Sequence, residues 1–143
     1  MAFKDDLVSY LASKTAITDI VTTDANRIRQ GWTPQATAMP YITISIQEFG
    51  HEHVLTGGAG FSEPDVEIQL WCDRESQRQT LSAAVRGVLQ GYRGTMGGTV
   101  VKCVTLPLDN EFEEPPRDNS QKIIFRRVMQ FKFSIDESIP TYA

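Results

Sequence analysis

Cysteine and histidine are scarce in this 143-residue chain, at two residues each. Two thiols cannot staple a small disulfide scaffold. Cys72 and Cys103 both lie in apolar, strand-like runs, so both are expected to be buried thiols rather than a disulfide pair. No apolar run approaches the ~20 residues that span a bilayer, and no membrane partner is expected. Acids stand at the N-terminus (Met1-Ala2-Phe3-Lys4-Asp5-Asp6), where a signal peptide carries basic residues. The chain is therefore expected to be made and kept in the cytoplasm. Basic charge is not in excess either: 14 Lys and Arg face 18 Asp and Glu, for a formal charge of −4. That balance argues against sequence-specific nucleic-acid binding, which calls for a basic patch.

The familiar chemical motifs are missing as well. There is no GxxxxGK[ST] phosphate loop and no GxSxG nucleophile elbow. The Gly-rich stretch Gly94 to Thr99 leads into a strand rather than a helix N-terminus, so it reads as a turn. His51-Glu52-His53 is the one metal-like cluster. On an extended strand its two histidines point the same way, but no third ligand stands at a recognisable spacing. Asp109, Glu111, Glu113 and Glu114 precede Pro115-Pro116 and read as a solvated loop rather than an acid–base pair. No catalytic residue, metal or cofactor is expected.

What is present is a globular composition, 41% hydrophobic and 22% charged, in a chain the length of one domain. Phe3, Leu7, Tyr10 and Leu11 follow a helical stripe from Phe3 to Ser13, with Asp5 and Asp6 in the first turn. Thr15 to Val21 reads as a further short helical turn, residues 22–26 as a loop, and Arg27-Ile28-Arg29 as a short strand. Ile42, Ile44 and Ile46 alternate with polar residues in a strand from Tyr41 to Phe49. Gly50 to Asp65 reads as a long polar loop. Val66, Ile68, Leu70 and Cys72 then alternate in a second strand, so the two runs predict an antiparallel pair with a mobile tip. Ser76 and Gln79 have capping-box spacing for a helix to about Gln90, in which Gly87 suggests close packing on a sheet. Val100 to Leu108 is a strand apolar on both sides, followed by a loop from Asp109 to Gln121. The last strand starts at Ile123. Arg127 falls in its apolar phase, which calls for a β-bulge, the preferred reading, or for a partner at a rim.

This order predicts one α+β domain, residues 1–143. Its sheet is mainly antiparallel, made of two hairpins joined by a helical crossover, with the helices packed on one face.

With that order in place, the sequence resembles the tail-completion, or tail-terminator, proteins of long-tailed bacteriophages, the phage lambda terminator among them. The likeness runs through the first helix, RIRQGWTPQATAMPYITISI (Arg27 to Ile46), DVEIQLWCDRESQRQTLSAAVRGVLQGYRG (Asp65 to Gly94) and the strand carrying FRRVMQFKFSI (Phe125 to Ile135). The resemblance implies a structural virion protein, located at the head-proximal end of the tail and assembled in the host cytoplasm. It implies a homohexameric ring that caps the tail tube, stops its polymerisation and offers a surface to the head. The implied partners are further copies of the chain, the tail-tube protein and a head–tail connector protein. Residues placed at such an interface are Arg27, Arg29, His51, His53, Val100, Lys102, Val104 and Arg127. The alternatives are a head-to-tail connector, or neck, protein and a small enzyme or metal-binding module using His51 and His53.

Overall fold

The computed structural model describes residues 3–21, 28–30, 39–54, 57–114 and 123–136, with the backbone alone at 53, 54, 57–59 and 114. Three helices and eight strands follow in the order α1 (Phe3–Ala12), α2 (Thr15–Val21), β1 (Ile28–Gln30), β2 (Tyr41–Glu48), β3 (His51–Val54), β4 (Gly57–Ser62), β5 (Asp65–Cys72), α3 (Glu75–Leu89), β6 (Gly94–Met96), β7 (Thr99–Glu114) and β8 (Ile124–Asp136).

The fold is α+β, built on a curled, mainly antiparallel sheet. β2 pairs with β5, and β5 with β8, through registers such as Ile44↔Ile68 and Ile68↔Met129. β8 also pairs with β7 along most of its length. The exception to antiparallel order is β1, which lies parallel to β2.

Two stretches read from the sequence as loops are strands. Within Gly50 to Asp65, β3 and β4 pair and prolong the β2–β5 hairpin. At the junction Glu63 N donates to Gly50 O at 3.0 Å, and Phe133 N donates to Pro64 O at 3.0 Å. Glycine is required there: Gly50 has φ +59°, and a Cβ would stand 2.5 Å from Glu63 O. Glycine-rich composition hid β4, because its strand character comes from pairing with β3 and β8 rather than from β-forming side chains. Likewise β7 runs on through Asp109 to Glu114, its acids held by pairing with β8.

Burial follows the alternation. Ile42, Ile44, Val66, Ile68, Leu70, Phe131 and Phe133 share one core with Leu81, Val85 and Leu89 of α3 and with Leu7 and Leu11 of α1. Ile46 packs at its margin. Phe3 meets Phe133 edge-on with ring centroids 5.0 Å apart. Tyr10 of α1 donates its hydroxyl to Val88 O of α3 at 2.7 Å, and burial pushes its pKa up. In the first turn of α1, Asp6 is buried and accepts from Thr99 Oγ1 at 2.5 Å, tying the helix to the start of β7.

Four local expectations are corrected. Helix α3 starts at Glu75, with extended Arg74 as its N-cap and no side-chain cap bond, so Ser76 lies inside the first turn. Glu75 supplies the negative charge that suits the helix start. A Cβ on Gly87 would meet nothing within 4 Å, so this glycine marks no close packing. Cys72 is buried but Cys103 is exposed, because a register shift in β7 between Val101 and Cys103 turns the thiol outward. β8 carries no bulge at Arg127: the β5–β8 register is unbroken from Asp65↔Lys132 to Cys72↔Phe125.

Candidate functional site

Arg127 stays in the apolar phase because β7 brings acids to it. Asp109, Glu111 and Glu113 alternate along β7, opposite Met129, Arg127 and Phe125 of β8. Arg127 Nε and Nη2 donate to the two oxygens of Asp109 at 2.7 and 2.6 Å, and Nη1 to Glu111 Oε1 at 2.7 Å. The hydrogen bond to Asp109 raises the Arg127 pKa, against an opposing effect of burial.

The second oxygen of Glu111 lies 3.1 Å from Arg78 Nη2, so Glu111 bridges two guanidinium groups. Arg78 belongs to α3 and is only 1% exposed. It also donates to Phe112 O at 3.2 Å and Glu113 Oε1 at 3.1 Å, with its guanidinium 5.3 Å from the Phe125 ring centre. A buried charge needs such partners, since desolvation alone would expel it. The network fastens α3 to the far half of the β7–β8 pair. Its sequence signal was the period-two spacing of the acids, masked by the prolines that follow.

On the opposite face, four residues stand in consecutive register across β2, β5, β8 and β7: Tyr41, Trp71, Arg126 and Phe112. Tyr41 stacks on Trp71 at 5.7 Å, and the Arg126 guanidinium lies 5.2 Å from Trp71 and 5.0 Å from Phe112. Tyr41 and Trp71 of this row, with Ile124, form a second, smaller apolar cluster.

The residues placed at an interface from the sequence are scattered. Arg127 is engaged in the network above. Val104 is buried in the main core. Arg29 is half-buried in β1. Val100 and Lys102 are exposed near the start of β7, where Lys102 pairs with Asp136 at 3.6 Å. His51 is exposed and stacks on Phe49 at 6.0 Å. His53 lies in β3 with its side chain outside the described residues, and Arg27 lies outside them altogether. Of those that are described, the structure brings Val100 and Lys102 together beside one hollow.

Among the described residues no group of three His, Cys, Asp or Glu side chains is arranged to hold a metal ion. Cys72 is not poised as a nucleophile. Burial, with a smaller repulsion from Asp73, pushes its thiol up to about 12, so the thiolate is absent near neutral pH.

Comparison with known proteins agrees with a structural role. No curated protein matches the sequence. Among solved structures, a chain from the virion of a native gene transfer agent particle has the same fold, with a TM-score of 0.70. Its sequence identity is 14%, and the match covers 94% of this chain and 95% of that one. The family described as tail completion protein gp17 matches residues 5–135. The chain therefore belongs to the phage tail-completion family and is a structural, non-enzymatic protein of virion assembly.

Proposed function

We propose that the chain forms a closed homo-oligomeric ring, of six copies, on the head-proximal end of the tail tube. The ring stops tube polymerisation and presents the surface that the head–tail connector engages. The family match over residues 5–135 carries this reading. The architecture supports it physically. A small domain closes into a ring through heterologous contacts, which need two unlike surfaces on one chain. The long β7–β8 pair, clamped to α3 by Arg78, is a stiff element able to carry such a surface. Exposed Leu108 and Phe112 on β7 are apolar groups suited to burial on assembly.

Sedimentation velocity on the isolated chain, and on the chain mixed with tail-tube protein, tests the proposal. A discrete species of about six chains is expected, in one or both conditions. In an assembly reaction the chain should also cap tubes at a uniform length. A strict monomer in both conditions, with tube growth unaffected, overturns the ring.

A further inference from the structure

We propose that the outer edge of β7, from Leu108 to Glu114, receives the outer edge of β6 from a second copy of this chain. The inference rests on the ring reading above and names the two surfaces that would meet.

The β7 strand has two halves. Its first residues pair with β6, through Thr99↔Met96 to Val101↔Gly94, and Val104 O accepts from Gly91 N at 2.9 Å. Pro107, which has no N–H, then falls within the register shift between Thr105 and Leu108. Beyond it β7 pairs with β8 on one side, and among the described residues no strand covers its other side. An open edge is a template for another strand.

The chemistry of this edge is acidic with an apolar face. Four acids, Asp109, Glu111, Glu113 and Glu114, stand within six residues of sequence, against three guanidinium groups: those of Arg78 and Arg127, and that of Arg126, 5.0 Å from the Phe112 ring centre. Leu108 and Phe112 are 51% and 41% exposed. A fitting partner edge therefore carries positive charge and some apolar surface.

Charge separates the remaining edges. The outer side of β2 and β3 is flanked by Glu48 and Glu52, and like charges set opposite one another repel. β1 already engages α1, with Gln30 Nε2 donating to Asp5 Oδ1 at 2.6 Å. β6 is different. Exposed Arg93 precedes it, and Arg93, Val100 and Lys102 line one hollow beside it. The next hollow is lined by Phe61 and by Lys102 with its ion-pair partner Asp136, which leaves exposed Arg93, among the described residues, as the cation of this corner that no such carboxylate adjoins in either hollow. The acidic far end of β7 and the basic corner at β6 are unlike surfaces on one chain, as a head-to-tail ring requires.

A charge exchange tests the assignment. One variant carries Arg93→Glu with Lys102→Glu, and the other carries Asn110→Lys with Glu114→Lys. Each variant alone is expected to associate about tenfold more weakly than wild type at low ionic strength, because like charges then face one another. Mixing the two restores association, since each supplies the complement of the other. Leu108→Asn, a neutral change, is expected to weaken association independently. Circular dichroism and melting temperature, unchanged from wild type, show that all three variants fold. If wild type assembles and the variants assemble equally well, or mixing restores nothing, this assignment is overturned while the ring reading stands. Wild type that stays monomeric, even with tail-tube protein, overturns both.

Discussion

Arg127 and Asp109 meet diagonally across the β7–β8 ladder in a two-point contact, with both oxygens of the carboxylate engaged at 2.7 and 2.6 Å. Both side chains are mostly buried, at 17% and 19% exposure. Two-point arginine–carboxylate pairs are stronger than single contacts. In a double-mutant cycle with Arg127→Gln and Asp109→Asn, the coupling is expected at roughly 0.5–3 kcal/mol. A coupling indistinguishable from zero in chemical denaturation would reduce the contact to a surface pair.

Arg78 is the charge that α3 carries into the core. Replacing it by Met keeps an unbranched apolar stem but abandons Phe112 O, Glu111 and Glu113. Hydrogen bonds to charged groups are worth about 1.5–3 kcal/mol each at the high end, so a loss of roughly 2 kcal/mol is expected. Hydrogen exchange adds a local readout: amides of residues 108–114 should lose protection more than those of β2.

Leu70 is fully buried between β2 and β8 and under α3. Leu70→Ala is expected to cost about 2–5 kcal/mol, the transfer and cavity terms together. A urea midpoint close to that of wild type would place the core elsewhere.

Two glycines are expected to respond in opposite directions to alanine. Gly87 sits in α3 with open space where a Cβ would stand. Gly87→Ala should stabilise by about 0.4–1 kcal/mol through helix propensity and a less flexible unfolded chain. Gly50→Ala meets Glu63 O and a left-handed backbone, and should destabilise by more than that. Thermal melts of the two variants check the signs.

The two thiols should separate by reactivity and by pH. Exposed Cys103 is expected to react with a thiol reagent in the native state, and Cys72 only on unfolding. Cys72 is raised from 9.0 to about 12, so its neutral form is the one the fold favours. That contribution is complete below the unfolded value and is lost as pH rises toward the folded value. Between those limits the unfolded chain ionises first, and stability should fall by up to about 1.4 kcal/mol per pH unit. Burial of Tyr10 acts in the same direction. Urea midpoints of wild type and Cys72→Ala across this alkaline range isolate the thiol: the variant should show a shallower decline.

Alternation and helical spacing were enough to locate α1, α2, α3, β2, β5, the start of β7 and most of β8. In those segments each side chain reports the face it occupies, so Ile42, Ile68, Leu81 and Phe131 declare the core directly. The resemblance to tail-completion proteins was legible for the same reason, since it rests on the order of these elements. Other features depended on contacts between residues far apart in the chain. β4 is a strand because β3 and β8 pair with it, although glycines fill much of its length. Glu111 is a bridge because β8 sets Arg127 opposite it and α3 lowers Arg78 onto it. Cys103 faces outward because a register shift in β7 reverses the side it presents. Local pattern determined which segments are regular and which of their faces are apolar. Pairing register, a property of two strands at once, decided where the charges meet.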